Sequence, residues 1–516
     1  MSGKKKKNNQ AEELVRGLGL LDATMIVVGS MIGSGIFITS AASARMVGAP
    51  GWLLLAWALA GVLTITGALC CAELATMMPR AGGQYVFLRE AYSPAVGFLF
   101  GWSLFLIIQT GTIAAVAVGF AKFMGVLFEQ VSATDYIVAP VILPGFLNRY
   151  ALSLSTQQLV AVIVILLLTF SNTRGLKTGK LIQNTFTFTK TAALICLILV
   201  GLTLGWKVGL RNGGAAFTSS WWNSWSNGWS PQQAQADLGA LGGLALLMLL
   251  GRAMVGPLFA QSAWNNVTFT GSEVRDPGRN LPRALLIGCG LVVALYLLAN
   301  LAYILTLPLA SIQGAPQDRV ATATMQAILG GPGTILMAFA IMISTFGCNN
   351  GLILAGARVY YAMARDGLIF RRVSQVNARH VPSTALIAQG IWASLLTLPR
   401  TVKAAPRPGE DPFGDVYTQL LEYIVSADLI FYALMIAAVI ILRYRAPQVE
   451  RPYRTPGYPF VPVLYILLAL ILVFDLAYLT PWTSGIGYLL VLTGIPVYLI
   501  WRRQAATQKA IVKAED

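Results

Sequence analysis

The sequence predicts an all-α membrane protein with twelve transmembrane helices, and three observations support this. Long apolar runs recur along the whole chain, charged residues are scarce, and basic residues collect on one side of the predicted membrane. The chain has 516 residues, of which 56% are hydrophobic and 11% are charged, whereas soluble domains carry about 25% charged residues. Since no polar segment is long enough to build a large soluble domain, the apolar runs are expected to lie in lipid.

A helix needs about 20 apolar residues to cross a bilayer, and twelve runs approach or exceed this length. We number them spans 1 to 12. The predicted spans lie at about residues 20–47, 52–78, 93–126, 156–173, 179–205, 238–266, 284–307, 333–364, 384–399, 417–442, 460–478 and 484–501. Spans 4 and 9 are the shortest.

The net charge of +16 is explained by membrane topology rather than by nucleic-acid binding. With both ends of the chain placed inside the cell, most of the 37 Lys and Arg residues fall in cytoplasmic tails and loops. This is the positive-inside bias, and it requires an even number of crossings. The basic run Lys4–Lys7 is also expected to attract anionic lipid.

Cysteine and histidine usage argues against covalent partners and metal chemistry. The five cysteines, Cys70, Cys71, Cys196, Cys289 and Cys348, lie in apolar stretches, so we expect neither a disulfide nor a disulfide-linked ancillary subunit. His380 is the only histidine and lies in a predicted cytoplasmic loop. An enzyme or metal site needs clustered His, Cys or carboxylate groups, so we expect no enzyme activity, no metal and no cofactor.

Span 1 contains a glycine-rich stretch, GSMIGSGIF at residues 29–37, which weakens a helix in the middle of the membrane. Each glycine costs about 1 kcal/mol relative to alanine in a helix interior. One explanation is close helix packing, because Gly29 and Gly33 form a GxxxG motif. The other is a break in the helix, where glycines let a ligand approach the bare backbone.

Span 6 carries a second interruption, which favours the break. Pro257 lies inside this apolar run, and the polar residues Gln261, Ser262, Asn265 and Asn266 follow it. Irregular backbone at membrane depth is tolerated only against protein or a water-filled cavity. Spans 1 and 6 are five helices apart and therefore run in opposite directions, as an inverted repeat of five plus five helices requires. Paired interruptions of this kind point to a transporter binding site.

A broken helix presents partial charges of both signs to a ligand. The N–H groups that begin its second half attract an anion, and the C=O groups that end its first half attract a cation. An amino acid carries both charges at about this separation. We therefore predict that the N–H groups of Gly33, Ser34 and Gly35 bind a carboxylate. The carbonyls predicted to receive the ammonium group belong to Met31, Ile32, Phe259 and Ala260.

Four motifs follow one another along the chain: VVGSMIGSGIF, CAELATMMPRAGGQYVFL, WNNVTFTGSEVRDPGRNLPRAL and NNGLILAGARVYYAMARDGLI. Together they resemble the amino acid–polyamine–organocation (APC) superfamily, and within it the branch of L-type amino acid transporters and serine/threonine exchangers. The resemblance covers about residues 15–500. It implies the leucine-transporter-type fold, with ten helices in two inverted repeats, two further helices, and helices 1 and 6 broken mid-membrane. It also implies transport of α-amino acids by alternating access.

The resemblance assigns roles to individual positions. Residues 32–35 match the substrate motif of helix 1, Phe259 matches the aromatic residue that covers the substrate, and the Trp-Asn pair at 264–265 matches the pair after the helix 6 break. The family commonly has an aromatic residue and glycines where this chain has Gln261, Ser262 and Ala263, so we expect small or polar substrates. The predicted substrate-binding residues are Ile32, Gly33, Ser34, Gly35, Phe259, Ala260, Ser262 and Thr110.

Lys190 lies within span 5, where a charge costs at least about 2.5 kcal/mol. One explanation is that it extends its ammonium group towards water at a nearby helix end. In the family, a lysine at this place reaches towards helices 1 and 8, where relatives place a sodium ion. The resemblance implies that Lys190 replaces sodium by contacting a carbonyl near Gly29 and the hydroxyl of Ser344 or Thr345. We expect sodium-independent transport, with Lys190 also a candidate for proton coupling.

Further charged residues lie near both ends of the spans. Arg252 lies in the outer half of span 6, and three roles are open for it. It recruits an anionic substrate from an outer vestibule, it pairs with an acid such as Asp428 or Asp475, or its side chain extends to the water at the outer surface. At the cytoplasmic side, ion pairs are expected to hold a closed gate. The predicted gating residues are Phe259, Trp264, Glu73 and Glu273, and further charged residues on that side are Arg80, Arg275, Asp276, Arg365 and Asp366.

These observations predict a secondary active, sodium-independent transporter of neutral L-amino acids in a plasma membrane. The short tails and the lack of a cysteine in an outer loop favour a bacterial inner membrane. Exchange and proton-coupled symport stay open, as do anionic or cationic substrates and a transporter-like sensor. Its partners are the substrate and the lipid bilayer, without nucleic acid. The predicted organisation is a cytoplasmic tail (1–16), a first repeat (17–205), a second repeat (206–442), two further helices (443–502) and a cytoplasmic tail (503–516).

Overall fold

Helices occupy all twelve predicted runs in the computed structural model of the protein. The structure describes residues 17–80, 82–174, 177–235, 238, 241–377, 381–403 and 411–515. The basic run Lys4–Lys7 and the single histidine, His380, lie outside these ranges. The predictions made for them therefore stay predictions.

The helices have the following bounds. Span 1 consists of two halves, span 1a and span 1b, and span 6 consists of several short helices. The bounds are span 1a Leu20–Met31, span 1b Gly35–Val47, span 2 Pro50–Met77, span 3 Pro94–Leu127, span 4 Thr156–Thr173, span 5 Lys177–Val200 with its continuation to Asn212, span 6 Gly243–Ala253, Val255–Ala260 and Asn266–Phe269, span 7 Pro277–Thr306, span 8 Val320–Arg365, span 9 Ser383–Leu396, span 10 Val416–Arg445, span 11 Phe460–Leu479 and span 12 Pro481–Glu515.

The number of crossings is supported up to eleven. Within the described residues, ten helices are long and apolar enough to span a membrane, and the two halves of span 1, bent by 42°, make an eleventh. Span 9 is an apolar helix of 14 residues, which is shorter than the roughly 20 residues of a full crossing. The predicted count of twelve is therefore not confirmed, although the all-α membrane class is.

Burial separates the central helices from those that face lipid. In span 3, 83% of the most apolar 18-residue segment is buried inside the protein, and in span 10 the figure is 72%. In spans 11 and 12 it is 28% and 17%. Because apolar side chains gain nothing by leaving lipid for protein, such exposure is expected on an outer helix. Spans 3 and 10 therefore form the centre, and spans 11 and 12 lie at the periphery.

A small antiparallel sheet caps one end of the helices, a feature that the sequence analysis did not predict. Its strands are β1 (Tyr136–Ile142), β2 (Tyr150–Ser155) and β3 (Pro399–Thr401), in the order β1-β2-β3. The sheet joins the loop after span 3 to the loop after span 9. We call this end, which carries the loops after the odd-numbered spans, the outer end. Aromatic and β-branched residues such as those of β1 favour strands, but these segments are too short to stand out between apolar helices.

Candidate functional site

Span 1 is interrupted where the glycine-rich stretch predicted a break. Span 1a ends at Met31, and Ile32 leaves the helix with φ −74° and ψ 88°. Span 1b begins at Gly35, with Ser34 before its first turn. All four residues from Ile32 to Gly35 are buried. The first N–H groups of a helix have no acceptor inside the helix, so the start of span 1b offers donors in the interior of the membrane.

The carbonyl groups at the end of span 1a accept hydrogen bonds from neighbouring side chains. The Tyr296 hydroxyl of span 7 donates to the Met31 carbonyl at 2.9 Å. The Ser344 hydroxyl of span 8 lies 3.5 Å from the Ile32 carbonyl. The Met31 carbonyl also accepts from the Gly33 N–H at 2.8 Å, so both of its lone pairs are used within the protein. The predictions that the Met31 carbonyl receives an ammonium group and that the Gly33 N–H binds a carboxylate are therefore wrong for this conformation.

Lys190 contacts the end of span 1a, as the resemblance implied. Its side chain is fully buried, and its ammonium group donates to the Gly29 carbonyl. The second expected contact is not formed. The Ser344 hydroxyl is directed at Ile32, and the Thr345 hydroxyl donates to Ile341 in its own helix at 2.8 Å. An ammonium group in this position supplies a fixed positive charge beside the break, and it does not extend towards water.

Tyr417 completes the surroundings of the break and was not identified from the sequence. Its hydroxyl lies 2.9 Å from Ser34 Oγ, and its ring meets that of Phe259 edge-on, with 6.1 Å between ring centres. Tyr417 belongs to the outer end of span 10, next to the ion pair of Lys122 with Asp415 at 2.7 Å. Nothing in the sequence around this tyrosine distinguishes it from an ordinary core aromatic residue.

The two breaks pack directly against each other through Gly35 and Ala260. A Cβ atom placed on Gly35 would lie 2.5 Å from Ala260 Cβ and 2.9 Å from Ala260 Cα. Only a residue without a side chain allows this approach. Two of the predicted substrate-binding residues therefore define the distance between spans 1 and 6.

The break in span 6 extends from Gln261 to Asn265. Ser262 caps the preceding helix, since its hydroxyl donates to the Phe259 carbonyl at 2.7 Å. Beyond the break, the Trp264 ring stacks on Tyr432 of span 10 at 5.2 Å, and Asn265 Nδ2 donates to Gln84 Oε1 at 2.7 Å. Phe259 thus faces span 1b and the outer half of span 10, whereas Trp264 faces the inner half of span 10.

Ala263, inside this break, has the left-handed conformation with φ 64°, at a position where the resembling family commonly has glycine. Such a conformation costs a non-glycine residue about 1–2 kcal/mol. Replacing the alanine by glycine would remove this strain, but part of the gain would be lost because glycine has more conformational freedom in the unfolded chain. We expect Ala263→Gly to raise the free energy of unfolding by up to about 1 kcal/mol, measured by thermal unfolding in detergent.

The matched control is Ala299→Gly, the same change inside the helix of span 7, where Ala299 is fully buried. This variant should be less stable by about 1 kcal/mol. A loss of stability in both variants would contradict backbone strain at Ala263.

Thr110, predicted to bind substrate, uses its hydroxyl within span 3, where it donates to the Phe105 carbonyl at 2.7 Å. Other residues of span 3 approach the break instead. A Cβ atom on Gly33 would lie 3.7 Å from a Val116 methyl group, and one on Gly119 would lie 2.6 Å from Ser34 Cβ. Gly119 therefore belongs to the candidate site, and its signal in the sequence was a glycine within an alanine- and valine-rich run.

Contacts between spans 1 and 8 and the segment after span 6 join these elements at the inner end of the protein. The Glu273 carboxylate accepts two hydrogen bonds from Arg358 of span 8, at 2.8 and 3.3 Å. The Glu273 carbonyl accepts from the N–H groups of Gly17 and Leu18, both at 3.0 Å. Glu273 thus occupies the position expected of a gating residue, and its side-chain partner is an arginine that the sequence placed inside span 8.

Glu73 forms a second inner cluster. Its buried carboxylate accepts from Arg443 of span 10 at 2.8 and 2.7 Å, and from the Thr455 N–H at 2.7 Å. Arg451 lies 3.6 Å away. These contacts tie span 2 to span 10 and to the loop before span 11. A buried carboxylate with this many partners holds helices together, and its predicted role in gating stays a prediction.

A cleft opens at the outer end between spans 1b, 6 and 10. Arg252 lines it and lies 3.3 Å from Glu422 and 3.2 Å from Gln235. Glu422 of span 10, an acid not named from the sequence, forms this ion pair. Of the two acids that were named, Asp475 of span 11 interacts with Arg252 electrostatically, and Asp428 lines a different cavity. Tyr417 lines the cleft and also contacts Ser34, so the cleft lies next to the break in span 1.

Comparisons with known proteins agree with this architecture. Residues 18–499 match the amino acid permease family. The chain is 29% identical over 490 residues to the human b(0,+)-type amino acid transporter 1, covering 95% of this chain and 88% of that protein. It is 30% identical over 492 residues to the mouse large neutral amino acids transporter small subunit 2, covering 94% of this chain and 81% of that protein. The broken helices, the buried lysine and these matches together make the chain a member of the amino acid permease family, in the L-type-transporter-like branch of the APC superfamily.

Proposed function

We propose that the protein is a secondary active, sodium-independent transporter of neutral L-amino acids, working by alternating access as an exchanger or a proton-coupled symporter. The observation that carries this proposal is the Lys190 ammonium group on the Gly29 carbonyl. A positive charge held by the protein beside the break makes a sodium ion at that place unnecessary. The family is one of transporters rather than enzymes, and the name of the mouse relative refers to neutral amino acids.

The substrate site that we propose lies between the two breaks. The N–H groups at the start of span 1b bind the substrate carboxylate, since a helix N-terminus attracts an anion. The Ser34 hydroxyl exchanges its contact with Tyr417 for one with substrate, and Phe259 covers the bound molecule. Gln261 and Ser262 occupy space next to the site, which supports small or polar substrates.

Alternating access requires one end of the site to be closed while the other is open. The contacts of Glu273 with Arg358 and with the start of span 1a close the inner end, and the cleft beside Arg252 opens outwards. We propose that transport breaks the inner contacts and closes the cleft. In this step Glu73 and Glu273 release their arginine partners, and the Phe259 and Trp264 side chains move at the two gates. The two inverted repeats, 17–205 and 206–442, supply the moving parts.

We further place the protein in the plasma membrane of a bacterium, with both ends of the chain on the cytoplasmic side. The basic residues of the inner loops support this orientation. All five cysteines lie in helices rather than in outer loops, where a subunit could be linked by a disulfide, and on this ground we propose function without such a subunit.

Purified protein in liposomes tests the proposal. Uptake of labelled alanine, serine, threonine and leucine is measured in sodium buffer and in choline buffer, with and without unlabelled amino acid inside. We expect equal uptake in the two buffers, and faster uptake from an exchanger when amino acid is present inside. Uptake that disappears in choline would overturn the role of Lys190, and an absence of saturable uptake of any amino acid would overturn the transport assignment.

A further inference from the structure

A second, smaller cavity lies on the far side of the span 6 break, away from span 1. It is bounded by spans 2, 6, 10 and 11 and has about 380 Å³ of empty space, of which only about 20 Å³ admits the centre of a water molecule. A single water needs about 10–15 Å³ by this measure. The cavity therefore holds one or two waters and is too small for an amino acid side chain or a hydrated metal ion.

Asp428 of span 10 lines this cavity and is 93% buried, with 7% of its surface exposed. Within the described part of the chain, no lysine or arginine forms an ion pair with it. The titratable neighbours on the cavity are Tyr432, from the same span, and Tyr465, from span 11; spans 2 and 6 present Thr64 and Gln261. The Tyr432 side chain forms a hydrogen bond with the Asp428 carboxylate, but a carboxylate without a cationic partner at membrane depth is still costly, and membrane proteins place such groups on ion and proton pathways.

Gln261 supplies a second, independent observation. It is 1% exposed and lines the same cavity. Its Nε2 donates to the Trp57 carbonyl at 3.1 Å, but its Oε1 is buried without a hydrogen-bond partner. A buried acceptor without a donor costs about 1–3 kcal/mol. The Oε1 atom lies beside Gly61 of span 2, next to the cavity that Gln261 and Asp428 both line. A protonated Asp428 would be able to donate to it through a water, whereas an ionised carboxylate has no proton to donate.

The cavity is connected to the break that is expected to move during transport. Gln261 begins the break. The Tyr432 hydroxyl, next to Asp428, lies 3.4 Å from Asn265 Oδ1 at the other end of the break, and the Tyr432 ring stacks on Trp264. Adding or removing a proton at Asp428 therefore changes the hydrogen bonding of both ends of the interrupted segment.

We propose that Asp428 binds the proton that is transported together with the amino acid, and that Gln261 is the acceptor that stabilises its protonated form. The proton comes from water in the cavity and returns to water on the other side of the membrane, so no other reactant is needed. This inference rests on the proposed transport function and assigns its coupling ion and the site of that ion.

The experiment uses the full-length protein in liposomes with a trapped pH-sensitive dye. Three proteins are compared: the unchanged chain, Asp428→Asn, and the control Asp475→Asn, which makes the same change at a carboxylate of span 11 outside the cavity. Exchange is measured without a pH gradient, and accumulation of amino acid and movement of protons are measured with an inward proton gradient. The asparagine amide keeps a donor for Gln261 but cannot release a proton.

We expect all three proteins to exchange amino acid. The unchanged chain and Asp475→Asn should accumulate amino acid with the gradient and carry protons inwards, and Asp428→Asn should do neither, falling to the level of empty liposomes. Coupling that persists in Asp428→Asn, or exchange without proton movement in the unchanged chain, would overturn the inference and leave the transport function standing. A complete absence of amino acid transport by the unchanged chain would instead overturn the proposed function.

A spectroscopic measurement keeps the inference testable if Asp428→Asn fails to fold. Infrared difference spectra of the purified unchanged chain, recorded across a pH titration, should contain the carbonyl band of a protonated carboxylic acid that disappears at high pH. Gln261→Leu removes the proposed acceptor and should shift the pH at which this band disappears to lower values. A band that is unaffected by Gln261→Leu would count against Asp428 as the proton site.

Discussion

Amino acid uptake should fall by about 10- to 100-fold when Lys190 is replaced by methionine. The Lys190 ammonium group is fully buried and donates to the Gly29 carbonyl at the end of span 1a. A hydrogen bond to a charged group contributes about 1.5–3 kcal/mol, and each 1.4 kcal/mol corresponds to a factor of ten. Methionine keeps most of the side-chain volume, so the change removes the charge with little change in packing.

Lys207→Met is the matched control, because Lys207 lies in the same continuous helix but is exposed. It should transport at the rate of the unchanged chain. Thermal unfolding of both variants shows whether the loss of uptake in Lys190→Met reflects unfolding. A folded Lys190→Met variant with full uptake in choline buffer would contradict the assigned role of the lysine.

Gly35→Ala is expected to reduce uptake by at least about tenfold and to lower the free energy of unfolding by about 1–3 kcal/mol, the usual cost of overpacking. The added carbon would lie 2.9 Å from Ala260 Cα, which belongs to the backbone and cannot rotate away. The variant therefore has to separate spans 1 and 6 at the place where both expose backbone groups to the substrate. Uptake and thermal unfolding are measured on the same preparation.

Gly290→Ala tests whether any added methyl group has this effect. Gly290 lies in the helix of span 7 with nothing within 4 Å of an added Cβ, so this variant should transport normally and be slightly more stable. In the double variant Gly35→Ala with Ala260→Gly, the nearest clashing carbon is absent. The double variant should lose less unfolding free energy than the two single variants lose together, as expected for residues in contact. A loss equal to that sum would contradict the contact between Gly35 and Ala260.

Much of the fold is readable from the chain because lipid imposes a simple rule. A run of apolar residues has to become a helix in the membrane, where every backbone group needs an internal partner. The boundaries are less well determined. A helix from Val320 that was not predicted precedes the expected start of span 8 near residue 333, and the non-helical residue Gly330, with φ 69° and ψ −154°, divides the two. The strands β1 to β3 were missed because each is short, and because β3 pairs with β2, which lies far earlier in the chain.

The candidate site was predicted in part, and the difference has a physical basis. The break at residues 32–34 depends on local glycines that are visible in the sequence, whereas the contact of Lys190 with Gly29 was implied by the resemblance to the family. Tyr417 and Gly119 were missed, and Glu422 was not recognised as the partner of Arg252. Each of these contacts joins residues more than eighty positions apart on helices whose rotation about their own axes the apolar pattern does not reveal.

By itself, the sequence determined the membrane class, the placement of most helices and the two places where helices break, since these depend on the transfer of each segment from water to lipid. The tertiary structure alone decided which side chains meet at those breaks, which residues line the outer cleft, and that Asp428 and Gln261 line one small cavity. Those features depend on how helices of similar composition pack against one another, at distances where a single methyl group changes the contact.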